Sequence, residues 1–146
     1  MIFDKTLMFS DAQAITADAA STNIVDLGAT GTPFGGNQLT RDIGIGTKIP
    51  LWISVGATFN TLTSLTVSVQ VDDNEAFSSP KTVASRTYAL ADLVAGSKLV
   101  FPDYVPEGTD ERFIRLFYDV TGSNPTTGNI TAGVVAARQS NMGDHY

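Results

Sequence analysis

A strict two-residue alternation of apolar and polar side chains is the feature that most constrains this chain. It is clearest over residues 64–71, where every second residue is apolar: Leu65, Val67, Val69 and Val71. Successive side chains of a β-strand point to opposite faces, so this pattern predicts an antiparallel strand with one buried face. A similar alternation over residues 113–120 predicts a second, central strand.

Shorter apolar runs indicate further strands at residues 23–27, 50–55, 82–88, 98–101 and 130–137. Gly, Asn, Asp and Pro cluster between these runs, as they do in turns. Strands that recur about every ten to fifteen residues are typical of a sandwich or a barrel. One short helix is also predicted on the stretch that begins after Thr87 and ends at Gly96, because Leu90, Leu93 and Val94 have helical spacing; the alternative there is a structured loop.

The composition removes several classes of active site. The 146 residues suffice for one domain and include no cysteine, which excludes disulfide frameworks, thiolate metal sites and cysteine nucleophiles. The single histidine, His145, is the penultimate residue, so a serine–histidine–aspartate triad would have to be assembled around a chain end. We therefore expect no catalytic residues, no cofactor and no bound metal.

The charge balance narrows the range of partners. Nine basic and fifteen acidic residues give a formal net charge of -6, and only 16% of the residues are charged. Nucleic-acid binding depends on clustered basic residues, so we do not expect it. Neither a signal peptide nor a membrane-spanning apolar run is visible, and we expect a soluble protein made in the cytoplasm.

Two short motifs invite ligand-binding interpretations that their spacing does not support. Residues 44–48 (GIGTK) lack the glycine–lysine spacing of a phosphate loop, so a turn is predicted there. The acidic run at residues 72–75 (DDNE) is followed by neither the further ligands nor the glycine of a calcium-binding loop. We interpret it as the end of a hairpin.

Two alternatives to a structural role stay open from the residues alone. A carbohydrate-binding sandwich module would use Trp52, Tyr88 or Tyr104 on an exposed face, although a lone Trp in an apolar run is more often part of the core. A small hydrolase would use the carboxylates of residues 103–111, whose spacing equally fits an exposed loop.

The two ends of the chain differ from its middle. Residues 1–22 open with apolar side chains and sustain no helical stripe, so we interpret them as an extended N-terminal arm. Residues 23–138 carry the β-sandwich pattern, and residues 139–146 are interpreted as a C-terminal tail. The alternative for the arm is that residues 7–9 form a first strand that covers the sandwich.

The apolar residues of the arm are the candidate partner-binding residues. A small domain has no evident need for so much apolar surface ahead of its first clear strand, and such a patch would anchor an assembly once docked. The candidates are Met1, Ile2, Phe3, Leu7, Met8 and Phe9.

Several segments, taken in order, resemble one protein family. They are residues 4–5 (DK), 8–14 (MFSDAQA), 26–28 (DLG), 41–46 (RDIGIG), 66–80 (TVSVQVDDNEAFSSP), 112–118 (RFIRLFY) and 128–133 (GNITAG). Each segment alone is weakly specific, and their order over nearly the whole chain carries the resemblance. In these segments the chain resembles the capsid cement, or decoration, proteins of tailed bacteriophages, of the kind found on short-tailed Bordetella phage.

This resemblance implies a fold, a location and a partner. The fold would be a single-domain, all-β, jelly-roll-like antiparallel β-sandwich with the extended N-terminal arm and at most one short helix. The protein would be a structural virion protein, not an enzyme, made in the host cytoplasm and located on the exterior of the phage head. There it would bridge subunits of the major capsid protein as a homo-oligomer, for which a dimer is favoured over a trimer. The alternative function is the carbohydrate-binding module.

We expect chelation of divalent cations to leave the melting temperature unchanged, because no cysteine is present and the only histidine lies at the chain end. Thermal melts with and without a chelator measure this. A drop of several degrees would reveal a carboxylate-bound calcium ion that the sequence pattern conceals.

Overall fold

A computed structural model describes residues 3–43, 46, 48–101 and 103–137, and their regular structure is almost entirely β. The elements are β1 (Phe3–Ala14), β2 (Ala19–Ala20), β3 (Val25–Asp26), β4 (Leu51–Ala57), β5 (Leu62–Asp72), β6 (Lys81–Ala89), the 3-10 turn η1 (Leu90–Asp92), β7 (Phe113–Gly122) and β8 (Asn129–Val135). The described part of the chain contains no helix with the length and hydropathy that crossing a bilayer requires.

The strands form two antiparallel sheets. The smaller sheet has the order β1–β8–β4, and the larger has the order β2–β7–β5–β6, with β3 also paired to β7. One buried cluster draws on both sheets, with Ile53 and Ile130 from the smaller and Val67 and Leu116 from the larger. The predicted single-domain, all-β, antiparallel sandwich is thereby confirmed.

The two central strands of the larger sheet, β5 and β7, follow the alternation that the sequence predicts. The four apolar residues of β5 predicted to share a face are fully buried, and the residues between them are half-buried. The strands stay in register from Leu65 opposite Val120 to Val71 opposite Ile114. A slip of one residue would expose the whole apolar set, so its burial fixes the register.

Three shorter predicted elements differ in the structure. The strand predicted at 23–27 is only the two-residue β3, and the predicted helix is the single turn η1. The strand predicted at 98–101 is absent. Instead, Lys98 forms an isolated bridge with β4, and Leu99 donates its backbone N–H to the carbonyl oxygen of Ile53 at 2.9 Å. This irregular segment covers the outer edge of β4 and so protects it from further pairing.

The N-terminal arm predicted for residues 1–22 does not hold where the structure describes it, because residues 3–14 form β1 and pair with β8. The alternative, a first strand that belongs to the sandwich, is the one observed. The first two residues, three of the five residues of the predicted 44–48 turn and the predicted tail at 139–146 lie outside the described residues.

Bulges interrupt the pairing of β1 with β8. Between the pairs Phe3–Val135 and Met8–Gly133, β1 advances by five positions and β8 by only two. A later register shift accompanies Ala12, whose φ is 47°. Each odd number of extra residues reverses the face on which the following side chains lie. The apolar residues of β1 therefore show no two-residue period, which explains why the sequence predicts an arm.

Gly133 lets two large side chains share the outer face of the smaller sheet. Met8 and Trp52 are its partners in the neighbouring strands, and both are buried. A Cβ atom on Gly133 would lie 3.0 Å from the Cα of Met8 and 3.2 Å from the ring of Phe3, so the close approach of β1 requires glycine. Lys98 lies over Trp52, with its Nζ 4.7 Å from the ring centroid.

We expect Val69→Ala to lower the free energy of unfolding by about 1 to 3 kcal/mol, because it removes buried methyl groups from a fully enclosed site and leaves a cavity. Ser68→Ala, on the half-buried opposite face of the same strand, is the matched control and should change it by less than about 0.5 kcal/mol. Urea denaturation measures both, and coincident midpoints for the two variants would contradict the assigned faces of β5.

Candidate functional site

Of the six predicted partner-binding residues, Phe3 and Leu7 are the two that the described structure places at the surface. Phe3 is half-buried, and Leu7 is 36% exposed. Met8 is buried on the outer face of the smaller sheet, and Phe9 is 1% exposed and belongs to the core. The chain itself therefore covers most of both side chains, which were predicted to be exposed, although Phe9 also lines the pocket described next. The first two residues of the chain lie outside the described ranges.

An apolar pocket, which we call the β1 pocket, opens beside Leu7. Its volume is 230 Å³, and all nine of the residues that line it are apolar, among them Leu7, Val25, Leu27, Ile43, Val105 and Val134. Small-molecule sites combine apolar walls with a few polar groups that orient the ligand. The β1 pocket lacks such groups, so an apolar side chain of another protein fits its chemistry better than a metabolite does.

Backbone hydrogen bonds hold the walls of the β1 pocket in place. Leu27 donates its N–H to the carbonyl oxygen of Arg112 at 2.9 Å, and Ile43 donates to that of Thr109 at 3.2 Å. Val105 donates in turn to the carbonyl oxygen of Ile49 at 2.9 Å. Walls made from irregular chain are thus tied to the segment that leads into β7, and the pocket is formed before any partner arrives.

A shallow depression of 360 Å³ continues the apolar surface toward the end of β8. Leu7 and Val134 line both this depression and the β1 pocket. Asp4 supplies the charged group in the lining of the depression, and hydrogen bonds from the hydroxyl and the N–H of Thr6 lower the pKa of its carboxyl. The surface is therefore apolar in the middle with one ionised carboxylate at its edge.

A buried hydrogen-bond network fastens β1 beneath this surface. The Ser10 hydroxyl donates to Oε1 of Gln13 at 2.7 Å and lies 2.8 Å from the Tyr118 hydroxyl of the larger sheet. Because the single Ser10 proton goes to Gln13, Tyr118 is the donor to Ser10. Gln13 also donates to the carbonyl oxygen of Ala20 and accepts the N–H of Thr22. The network joins both sheets at the point where β1 leaves the surface.

An ion pair lies next to the pocket wall formed by Leu27. The guanidinium of Arg112 donates to the carboxylate of Asp26 at 2.9 and 2.7 Å. These hydrogen bonds and the N–H of Gly28 lower the pKa of Asp26 to about 2. Both side chains are largely exposed, so the pair fixes the course of the chain and contributes little to stability.

The carboxylates of residues 103–111 give the hydrolase interpretation no support. Asp110 pairs with Lys81 at 2.8 Å, and this contact lowers the pKa of Asp110 and raises that of Lys81. Gly108 donates its N–H to the carboxylate of Asp42 at 3.1 Å. Among the residues that the structure describes, no three acidic or histidine side chains come together in a way that could hold a metal.

The acidic run at residues 72–75, which begins at the last residue of β5, forms a hairpin end, as the sequence predicts. Asp72 is buried, and its carboxylate accepts the backbone N–H groups of Asn74 and Ser79, both at 2.9 Å. These hydrogen bonds lower the pKa of Asp72. Phe77, at a φ of 51°, lies against Arg115, whose guanidinium is 4.0 Å from the ring centroid. The carboxylate thus organises the turn.

Two of the three aromatic residues proposed for carbohydrate binding present no open ring face. Trp52 is buried beneath Lys98. Tyr88 is buried, and its hydroxyl donates to the carbonyl oxygen of Phe101 at 2.6 Å and accepts the N–H of the same residue at 3.0 Å. Tyr104 is half-buried, with the Nζ of Lys48 5.0 Å from its ring centroid. No observation on these residues favours a sugar platform.

Sequence reasoning missed the β1 pocket because four of its nine lining residues lie in irregular chain, where the sequence has no regular pattern. Leu27, Ile43 and Ile49 are isolated apolar residues in a segment rich in Gly and Thr, which predicts only turns. The one available signal is that these apolar side chains interrupt an otherwise polar connection between two strands.

We expect Ser10→Ala to lower the free energy of unfolding by about 1 to 3 kcal/mol, because it leaves the buried Tyr118 hydroxyl without its acceptor. Tyr118→Phe removes that donor altogether, so the double variant should recover part of the loss caused by Ser10→Ala. Urea denaturation of the four proteins measures the coupling, and strictly additive losses would contradict the assigned hydrogen bond.

Tyr118→Phe should also change how the stability of the protein depends on pH in the alkaline range. Burial raises the pKa of Tyr118 well above the usual value of about 10, so the folded chain resists its ionisation. The stability that this protonated group contributes is present below that usual value and is lost as the pH rises above it. Tyr118→Phe should therefore weaken the decline of stability above about pH 10.

Comparison with known proteins gives one match that covers most of the chain. No curated protein matches it. The family model described as Bbp16 matches residues 9–138, which include every strand from β2 to β8 and residues 9–14 of β1. The chain therefore belongs to the Bbp16 family.

Proposed function

We propose that this chain is a structural virion protein that binds the exterior of a tailed-phage head and stabilises the head by bridging subunits of the major capsid protein. The family name points to a protein of a Bordetella phage. The observation that carries the proposal is the β1 pocket, an opening lined only by apolar side chains. Its occupant would be an apolar side chain of the capsid.

The hydrogen bonds around the β1 pocket support its proposed role as a rigid site for a capsid side chain. Its walls are hydrogen-bonded to the segment before β7, and the network of Ser10 and Tyr118 locks β1 to the larger sheet. A pre-formed pocket loses little conformational entropy when a partner side chain enters. A large side chain enclosed in such a pocket carries most of the energy of an interface.

The charges of the described residues support a binding role more than a catalytic one. Lys81 and Asp110 pair with each other, as do Arg112 and Asp26, and the carboxylate of Asp72 holds a turn. A net charge of -6 disfavours direct contact with nucleic acid, so the proposal places the protein on the outer surface of the head after its synthesis in the host cytoplasm.

Assembly as a homo-oligomer, with a dimer favoured over a trimer, is part of the same proposal. Each copy would bring its own β1 pocket to the capsid. Once one copy is bound, binding of the next becomes intramolecular, so weak individual contacts add up to firm attachment. This arrangement suits a protein whose proposed contact pocket is small.

Leu7→Asp tests the proposed site. The new carboxylate would have to be buried in an apolar pocket when the partner docks, so we expect binding to heads prepared without the protein to weaken about tenfold or more. Co-sedimentation of the purified chain with such heads measures the affinity. The melting temperature should stay near that of the unmodified chain, because Leu7 is 36% exposed.

Val94→Asp is the matched control, since Val94 is an exposed apolar residue, 47% accessible, that does not line the β1 pocket. It should bind heads like the unmodified chain. Equal binding by Leu7→Asp and the unmodified chain would remove the pocket from the interface. Failure of the unmodified chain to sediment with heads would overturn the proposed function itself.

A further inference from the structure

The connection between β3 and β4 projects a loop with Phe34 at its tip. Residues 29–40 are all exposed, and the Phe34 side chain is fully exposed. The loop begins and ends beside the β1 pocket, since Leu27 and Ile43 line it, yet the phenyl ring does not turn back into that pocket. An apolar ring held away from the apolar surface of its own chain is available to another protein.

The tip of this loop has a defined shape. Gly36 donates its N–H to the carbonyl oxygen of Pro33 at 3.0 Å, and Gly35 between them has a φ of 72°. Leu39 donates to the carbonyl oxygen of Gly31 at 2.9 Å and closes the loop below the turn. Phe34 is therefore presented on a turn that is formed in advance, which lowers the entropic cost of binding through it.

Both feet of the loop are fastened to each other and to the domain. The guanidinium of Arg41, at one foot, donates to the carbonyl oxygen of Gly28 at the other. Gly28 donates its N–H to the carboxylate of Asp26, which is paired with Arg112. Asp42 accepts the N–H of Gly108. The loop thus projects from a fixed base.

The loop carries no charge. No residue from 27 to 40 is ionisable, although the chain as a whole has a net charge of -6. Burial of this tip requires the desolvation of no ion, and the tip can approach an acidic partner without repulsion. The occupied site on the partner must accordingly be apolar.

We infer that Phe34 is a second capsid contact, which inserts into an apolar pocket of one major capsid protein subunit while the β1 pocket receives a side chain of a neighbouring subunit. This inference rests on the proposed function. A single copy that itself spans the junction between two subunits must hold both neighbours, and the β1 pocket, at 230 Å³, holds one side chain. Phe34 supplies the other contact from an adjacent, separately anchored part of the surface.

Phe34→Ser tests the inference in the full-length chain. We expect its affinity for heads prepared without the protein to fall roughly tenfold or more, as for the loss of a central aromatic anchor. The melting temperature should not change, because the ring is fully exposed. Val100→Ser, which removes another exposed apolar side chain, is the matched control and should bind normally.

Gly35→Ala tests whether the turn presents the ring. Nothing lies within 4 Å of the position that the new Cβ would occupy, so the substitution acts only through the backbone strain of an alanine at positive φ. We expect a severalfold loss of affinity although the ring is retained. Because the loop is uncharged, binding by the unmodified tip should depend only weakly on salt.

Three outcomes of the head-binding and oligomeric-state measurements distinguish a capsid contact by Phe34 from its alternatives. Normal head binding by Phe34→Ser, with Leu7→Asp defective, would overturn the inference and leave the proposed function intact. Conversion of an oligomer to monomers by Phe34→Ser in the absence of heads would show that the ring docks on a second copy of this chain, which also overturns it. Failure of the unmodified chain to bind heads would remove both proposals.

Discussion

The pairing of β1 with β8 is the contact on which the rest of this structure depends. It places β8 at the centre of the smaller sheet, brings Phe9 into the core and sets Leu7 at the mouth of the β1 pocket. It also delivers Ser10 to the Tyr118 hydroxyl, which joins the two sheets. Without β1, the smaller sheet would be a two-stranded ribbon, an element that is marginal on its own. The surface proposed for binding is thus a product of the same pairing that completes the fold.

The regular strands could be predicted from the sequence, because the side chains of an uninterrupted strand alternate between its two faces. The inward face of β5 is read directly from alternate apolar residues, since nothing interrupts its register with β7. In β1 the same rule fails, because three register shifts interrupt its pairing with β8. Leu7 and Phe9 line the same pocket while Met8 lies on the outer face, so this apolar run uses both faces of the strand and looks in the sequence like an unstructured apolar arm.

The candidate site could be predicted only in part, for a related reason. Leu7 was among the predicted binding residues, but three of the nine residues of the pocket wall come from irregular chain on either side of the projecting loop. Leu27 and Ile43 are held in the pocket wall by backbone hydrogen bonds to Arg112 and Thr109, which lie far along the sequence. Contacts between residues so far apart produce no periodic pattern in the sequence, so they could not be predicted from it. Phe34 was missed as well, because a single aromatic residue in a turn-rich segment gives no signal until its exposure is known.

The way the projecting loop is anchored determines where a mechanical load on its tip would go. Its two feet are tied to each other by Arg41 and to the segment at residues 108–112, which runs directly into β7. β7 is hydrogen-bonded to β5 along one side and to β2 and β3 on the other. A pull on the tip is therefore passed to β7 as well as to the two-residue β3 from which the loop departs. The load reaches the centre of the larger sheet, where β7 is paired on both sides.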